Sequence, residues 1–152
     1  MFEAAKNDGT SVVEILQNCV IFNDGAHKNI ADRTTAPDKQ LILKHGEPMI
    51  FGKDRNKGIR LGARGLEVVT IGEKGVTEKD ILVHDMTQKD SGIHNMLVDM
   101  QLPNYPVAFG VIRSAPAPAY DELLENQIKL AKEQSSIKCV DDLMNSGDTW
   151  EI

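Results

Sequence analysis

The sequence predicts an α/β fold, and three observations predict it. Apolar, β-branched runs at Ser11–Phe22 and Val107–Ile112 are typical of strands that are buried on both faces of a parallel sheet. Tyr120–Glu133 has the apolar spacing of a helix. Strands that alternate with helices along 152 residues, 41% of them hydrophobic, indicate a globular chain of this class.

The first predicted element is the strand Ser11–Phe22, which ends at a turn, Asn23–Gly25. The polar stretch that follows, as far as Pro37, is expected to be irregular. Asp38–His45 is predicted to be a short helix because a glycine and a proline follow it closely. A two-sided strand needs parallel neighbours, so the sequence begins as if in the middle of a sheet.

The middle of the chain is rich in glycine and in residues that favour strands. Ile93–Met100 is predicted to be a short amphipathic helix, and Val107–Ile112 a second buried strand. Short strands joined by glycine turns are predicted at Met49–Phe51, Gly58–Leu61, Leu66–Ile71 and Ile81–His84.

The C-terminal part contains the most clearly patterned helix, Tyr120–Glu133. Its apolar side chains fall on one face, which we expect to pack on the core: Tyr120, Leu123, Leu124, Ile128 and Ala131. A short helix near Val140–Met144 and a polar tail follow.

Charge and composition exclude several classes of protein. A net charge of −6 argues against nucleic-acid binding, which needs a basic surface. No apolar run approaches the roughly 18–20 residues that span a bilayer, and the N-terminus lacks the pattern of a signal peptide. We therefore expect a cytoplasmic protein with neither membrane nor nucleic-acid partners.

The four histidines are scattered and are expected to be surface or capping residues: His27, His45, His84 and His94.

No motif of a self-contained active site is present. The sequence has no GxSxG elbow, no GxxxxGK[ST] phosphate loop and no GxGxxG after a strand. Two cysteines, Cys19 and Cys139, are too few for a disulfide scaffold and form no CxxC pair.

A local reversal of charge occurs between residues 53 and 64, where five cations accompany one acid. One interpretation is a docking patch for an acidic protein or an anionic group; the other is a solvated hairpin. The five cations are Lys53, Arg55, Lys57, Arg60 and Arg64.

Cys19 lies in the apolar run just before the Asn23–Gly25 turn. From spacing alone, a buried and inert thiol is the commoner interpretation.

Six blocks, in order, resemble the beta subunits of 2-oxoacid:ferredoxin oxidoreductases, and especially the 2-oxoglutarate subgroup. The resemblance covers essentially the whole chain. The blocks are GTSVVEILQNCVIFND (Gly9–Asp24), PMIFGKDRNKGIRL (Pro48–Leu61), LEVVTIGEKGVTEKDILVHD (Leu66–Asp85), YPVAFGVIR (Tyr105–Arg113), YDELLENQI (Tyr120–Ile128) and SGDTWEI (Ser146–Ile152).

The resemblance implies an enzyme that oxidatively decarboxylates a 2-oxoacid. In that family thiamine diphosphate with magnesium takes up the substrate carbanion, and a 4Fe–4S cluster removes electrons. Coenzyme A accepts the acyl group, and ferredoxin carries the electrons away. Cys19 corresponds to the fourth cluster ligand, whereas Cys139 matches no ligand and is expected to be structural. The other three thiolates and the Gly-Asp-Gly cofactor motif lie upstream of the match, so this chain alone is expected to hold no cofactor.

The resemblance also implies an architecture and partners. Residues 1–47 would be the last strand and loop of a doubly wound, thiamine-binding parallel-sheet domain. Residues 48–152 would form a small α+β C-terminal extension. The expected partners are the alpha subunit, the remaining N-terminal part of the beta subunit and ferredoxin. The rival hypothesis is a stand-alone scaffold domain that has lost the catalytic half.

Overall fold

A computed structural model of the chain describes residues 1–148 and residue 150. The chain divides into two compact units. The middle unit is Val13–Pro116, and the terminal unit combines Met1–Val12 with Ala117–Ile152. The predicted boundary between residues 47 and 48 concerns the architecture of a complete subunit and stays a prediction. The last predicted block, Ser146–Ile152, includes residues 149, 151 and 152, which lie outside the described residues.

The middle unit contains a parallel pair of strands, which confirms the predicted α/β class. Strand β1 (Gln40–Ile42) pairs in parallel with β5 (Val107–Phe109), and Leu41 lies opposite Ala108. Two one-turn helices, α1 (Lys28–Ala31) and α2 (Ala36–Lys39), precede β1 in the stretch that we predicted to be irregular.

The second sheet is antiparallel, with the strand order β2-β3-β4. These strands, Ile50–Phe51, Lys57–Gly62 and Gly65–Thr70, confirm three of the predicted glycine-rich strands. Only two residues, Ala63 and Arg64, join β3 to β4, and Gly65 has a φ of +123°, a backbone conformation that favours glycine.

The predicted strand Ile81–His84 is present only as a bridge between Pro48 and Val83. Leu82 nevertheless joins the sheet, because its amide donates to the Ile59 carbonyl and its carbonyl accepts from the Met49 amide.

The core of the middle unit lies beneath these sheets. Helix α3 (Gly92–Val98), which confirms the predicted amphipathic helix, contributes Leu97 to it. A side chain at Gly58 would meet Ile81 Cδ1 at 2.5 Å, so the strand and the core pack in direct contact there. The buried apolar residues are Leu41, Leu43, Met49, Phe51, Ile59, Leu66, Ile81, Leu97 and Met100.

The prediction of a helix at Asp38–His45 is wrong, because α2 ends at Lys39 and β1 follows. Leu41 and Leu43 are buried while Ile42 is 57% exposed, and this alternation is that of a strand. The Leu43 amide donates to the Phe109 carbonyl, so the pairing continues beyond the strand itself. The partner β5 is shorter than the predicted Val107–Ile112 and only half-buried.

The prediction of a buried strand at Ser11–Phe22 is also wrong for this chain. Among the described residues no strand pairs with this segment, and its one bridge joins Cys19 to Asn23 within its own turn. Its apolar side chains are in solvent, with Val12 93% and Phe22 89% exposed. The pattern predicted a strand with parallel neighbours, and without neighbours the segment has nothing to cover it.

The terminal unit is helical, and the helix bounds that we predicted are confirmed. It comprises a 3-10 turn at Ala4–Lys6, helix α4 (Tyr120–Gln134) and helix α5 (Val140–Met144). The expectation that α4 packs its apolar face on a core is wrong, because every residue of α4 is exposed. No helix in the described part of the chain is both long and apolar enough to cross a membrane.

Candidate functional site

Cys19 lies at the start of a tight turn and is exposed, not buried in a strand. The turn closes when the Asn23 amide donates to the Cys19 carbonyl at 2.9 Å. Asn18 braces it, because its Oδ1 accepts from the Gly25 amide at 2.8 Å and its Nδ2 donates to Asp24.

The pKa of the Cys19 thiol is lowered by its own turn. Hydrogen bonding by the backbone N–H group of Phe22, and then by those of Ile21 and Asn23, lowers the pKa of the Cys19 thiol; desolvation opposes this effect and is outweighed. A thiolate is the form of cysteine that ligates metal or attacks as a nucleophile. Cys19 is therefore an exposed thiol whose pKa is lower than that of a free cysteine.

The described residues do not come together as a complete metal centre. Among the residues that the structure describes, no three His, Cys, Asp or Glu side chains are placed to share one metal ion. The other cysteine, Cys139, is an exposed N-cap residue of α5 in the terminal unit, and the expectation that it is a structural thiol stays a prediction. The expectation that Cys19 is one ligand of a 4Fe–4S cluster stays a prediction.

The five cations of residues 53–64 do not form one free patch. Two of them lie in β3 and are ion-paired: Lys57 Nζ lies 2.8 Å from Asp38 Oδ1, and Arg60 donates from both Nε and Nη2 to Glu67 Oε1, at 3.0 and 2.7 Å. The Lys57 hydrogen bond, with smaller contributions from its charge and that of Lys53, lowers the pKa of Asp38.

The other three cations lie in connections at opposite ends of β3. Lys53 and Arg55 belong to the loop between β2 and β3, and Arg64 belongs to the turn between β3 and β4. A strand rises about 3.3 Å per residue, so the six residues of β3 separate these ends by roughly 20 Å.

Glu67 and Asp38 were not singled out from the sequence. The hairpin register places Arg60 opposite Glu67, and the two-residue turn at Ala63–Arg64 fixes this register. If residues are paired across the hairpin outward from that turn, Arg60 falls opposite Glu67, so this ion pair could have been predicted from the sequence. Asp38 gave no comparable signal, because its contact with Lys57 depends on the tertiary fold.

A groove of about 400 Å³ opens beside the Lys57–Asp38 ion pair. Its walls are mainly apolar and aromatic, with Phe51 and Tyr105 among them, and Lys39 adds a further cation. The Tyr105 hydroxyl is already engaged, because it donates to the Leu66 carbonyl at 2.7 Å.

Two of the four histidines are buried, which corrects the expectation that all are surface or capping residues. His84 and His94 are each only 2% exposed. Their Nε2 atoms lie 2.9 Å from the carbonyl oxygens of Val111 and Asp85 respectively. They tie chain segments together and are not ligands of a metal cluster among the described residues.

Comparison with known proteins gives one informative similarity. The chain is 30% identical to the 2-oxoglutarate oxidoreductase subunit KorB of Mycobacterium tuberculosis, over 154 aligned positions that cover 98% of this chain and 40% of that protein. It therefore spans about two fifths of the length of the curated relative it matches, in a C-terminal part. The resemblance predicted from the sequence is confirmed. No family model matches the chain, and no solved structure matches it.

Proposed function

We propose that this chain supplies the C-terminal portion of the beta subunit of a cytoplasmic 2-oxoacid:ferredoxin oxidoreductase, with 2-oxoglutarate as the substrate. The observation that carries the proposal is the similarity to a 2-oxoglutarate oxidoreductase subunit along 98% of the chain. The lowered pKa of the Cys19 thiol supports it, because the resemblance implies that this residue is a cluster ligand and a thiolate is the form that ligates iron.

The complete enzyme would form acyl coenzyme A, carbon dioxide and reduced ferredoxin from the 2-oxoacid and coenzyme A. Thiamine diphosphate with magnesium and a 4Fe–4S cluster would supply the carbanion and electron-transfer chemistry in that complex. By the resemblance, the motifs that hold both groups lie upstream of this chain, so its own part would be limited. Cys19 would provide one thiolate, and the amides of Ile21, Phe22 and Asn23 would stabilise its charge and tune the attached cluster.

The exposed segment Ser11–Phe22 would join the sheet of the remaining N-terminal part of the subunit. Its side chains are apolar, and its backbone has no strand partner in the described part of the chain. Parallel pairing in a covered sheet would satisfy both features. The alpha subunit would complete the assembly.

The basic loop between β2 and β3 would steer ferredoxin, which is acidic. The sequence predicts this role for Lys53, Arg55, Lys57, Arg60 and Arg64 together. Lys57 and Arg60 are ion-paired and Arg64 lies at the far end of β3, so Lys53 and Arg55 are the main steering charges. Long-range attraction acts on association rate and is screened by salt.

Steady-state kinetics of the assembled enzyme test this docking role. Lys53→Glu with Arg55→Glu should raise the KM for ferredoxin several-fold at low salt and little at high salt, while Arg64→Glu is the matched control at the far end of β3. A raised KM for coenzyme A alone would instead assign the loop to the phosphates of that substrate. No change in either KM would leave a solvated hairpin and contradict the docking proposal.

The proposed activity is tested by combining the chain with polypeptides that carry the CxxC and Gly-Asp-Gly motifs and the alpha subunit. We expect ferredoxin reduction that requires 2-oxoglutarate, coenzyme A and this chain. Assembly of a complex without such activity would favour the rival function, a scaffold domain, which the exposed helical terminal unit also suits.

A further inference from the structure

Two buried histidines face each other in the middle unit, and the proposed function uses neither. The rings of His84 and His94 have centroids 6.2 Å apart and planes at 85° to each other. Each side chain is almost completely buried. Histidine changes its charge between about pH 5 and pH 8, so a buried pair is a place where acidity can act on the fold.

The hydrogen bonds of these rings assign the nitrogen that carries the hydrogen. Nε2 of His84 lies 2.9 Å from the Val111 carbonyl oxygen, and Nε2 of His94 lies 2.9 Å from the Asp85 carbonyl oxygen. A carbonyl oxygen can only accept, so Nε2 is the donor in each neutral ring and Nδ1 has no hydrogen. Among the described residues, the buried Nδ1 of His94 has no hydrogen-bond partner.

Two features of this arrangement oppose a positive charge on the pair. A proton added to Nδ1 of His94 would create a buried N–H group that has no acceptor in the described part of the chain. Two charged rings 6.2 Å apart would also repel each other. An opened form, in which water reaches both rings, binds protons without these costs, so acid favours opening.

A third histidine, His45, changes its partner when it is protonated. Its Nδ1 lies 3.3 Å from the Met86 amide nitrogen and 3.6 Å from Asp85 Oδ1. In the neutral ring this nitrogen accepts the hydrogen bond of the amide. Once protonated it is a donor, so it loses the Met86 amide and pairs with the carboxylate of Asp85.

One carboxylate, that of Asp85, faces these three histidines. Hydrogen bonds from the side chain and then the amide of Thr87 lower the pKa of Asp85, the charges of His45 and His94 add to this effect, and desolvation opposes it. A single carboxylate compensates a single imidazolium. Helix α3 contains no ionisable side chain besides His94.

Other charged side chains on the adjoining segments are engaged with different groups: Lys44 with Glu47, Asp90 with the Gly92 amide, and Arg113 with the Lys89 carbonyl. The two buried rings are therefore left without compensation when all three histidines are charged.

The histidine cluster, by which we mean His45, His84 and His94, lies where two parts of the middle unit are joined. Residues 111–114 are held by the bond from His84 to the Val111 carbonyl and by the Ser114 amide, which donates to the Met86 carbonyl at 2.7 Å. Residues 85 and 86 are held in turn by His94 and His45. Each of these histidine bonds depends on the protonation or the burial of its ring.

We propose that the histidine cluster is an acid-sensitive latch, which holds residues 111–114 against residues 84–86 while its rings are neutral and releases them when its rings are protonated. The buried rings separate into water, so the carbonyls of Val111 and Asp85 lose their donors. Residues 111–114 lead from β5 to α4 along the chain, so acid frees this connection. The sheet β2-β3-β4 contains no histidine and stays closed. This inference does not depend on the proposed enzymatic function.

Hydrogen exchange of the full chain at about pH 5 and about pH 7.5 tests the latch, with rates corrected for the intrinsic effect of pH. The amides of Met86 and Ser114 should lose protection at least about tenfold at the lower pH, while the hairpin formed by β3 and β4 keeps its protection. Equal protection of Met86 and Ser114 at both pH values would overturn the proposal. An equal loss in the hairpin would overturn it too, because general unfolding would then be the cause.

Variants identify the groups that respond to acid. His84→Gln with His94→Gln places a neutral amide donor in each buried position, and it should reduce the acid-induced loss at Ser114 to less than about twofold. The matched control is His27→Gln, which lies outside the cluster and should keep the full loss. Retention of the full loss in the double variant would contradict the proposal.

His45→Gln provides a test that does not disturb the buried rings, because the side chain of His45 is about half exposed. Its amide oxygen accepts from Met86 at every pH, so the Met86 amide should keep its protection in acid. This variant decides the outcome if circular dichroism shows that the buried double variant is unfolded. Nitrogen-15 NMR of the native rings at about pH 7.5 should show hydrogen on Nε2 of His84 and His94, and hydrogen on Nδ1 of either would overturn the assignment on which the latch depends.

Discussion

Cys19 shows how a local turn can set the chemistry of one residue. The run of apolar residues around it suggested burial, but the thiol is exposed at a turn whose backbone N–H groups lower its pKa. The turn itself was predictable from Asn23, Asp24 and Gly25. The lowered pKa was not, because it depends on the backbone conformation of the turn.

We expect Cys19 to react with iodoacetamide at lower pH than an unstructured cysteine does. Its amide hydrogen bonds lower the pKa of the thiol, so the thiolate fraction rises earlier as pH increases. Mass spectrometry of the alkylated chain across a pH series measures this, with a cysteine peptide as the reference and Cys19→Ser as the control. A midpoint at or above that of the reference peptide would show that the amides do not stabilise the thiolate.

The Lys57–Asp38 ion pair makes a pH-dependent contribution to stability. Lys57 lowers the pKa of Asp38 in the folded chain, so this contribution is present above the carboxyl's ordinary pKa and is lost as pH falls through the lowered value.

Asp38→Asn should therefore lower the Tm at neutral pH and have little effect at strongly acidic pH, where the native carboxyl is protonated. Thermal melts across that range measure the difference, and Asp54→Asn, in the neighbouring loop, is the control. A Tm difference that is the same at both pH extremes would exclude the ion pair as its cause.

At the level of elements, helices with a local sequence pattern could be predicted, but the pairing of strands could not. Helix α4 was placed correctly because its spacing and the prolines before it are local signals. The sequence predicted a helix where strand β1 lies. Three residues are too few to show the alternation of a strand, and β1 is a strand because it pairs with β5, which lies far along the chain. The segment Ser11–Phe22 has strand composition, but composition cannot supply the neighbouring strands on which a sheet depends.

The alternation in β1 predicts contrasting effects for adjacent substitutions. Leu41 is fully buried, so Leu41→Ala should lower the free energy of unfolding by about 2–5 kcal/mol. Ile42 is 57% exposed, so Ile42→Ala should cost less than about 1 kcal/mol. Urea denaturation of both variants gives the comparison. Similar losses at the two positions would be inconsistent with a strand that buries alternate side chains.

The whole molecule combines a packed middle unit with surfaces that are not covered. The middle unit has its own core and two buried histidines, while Ser11–Phe22 and the terminal helices expose apolar side chains. The sequence predicted the α/β class and the family resemblance, because order and composition suffice for both. It could not predict that the face of α4 stays exposed, since an apolar stripe looks the same whether a core or a partner covers it.

We propose that Cys19 completes a cluster whose other ligands lie in the N-terminal part of the beta subunit. The direct measurement is anaerobic reconstitution of this chain, together with that part of the subunit, using iron and sulfide, followed by electron paramagnetic resonance and iron analysis. We predict a reducible 4Fe–4S cluster with the native chain and with Cys139→Ser, and loss of that cluster with Cys19→Ser. Equal cluster content in the native and Cys19→Ser complexes would contradict the claim.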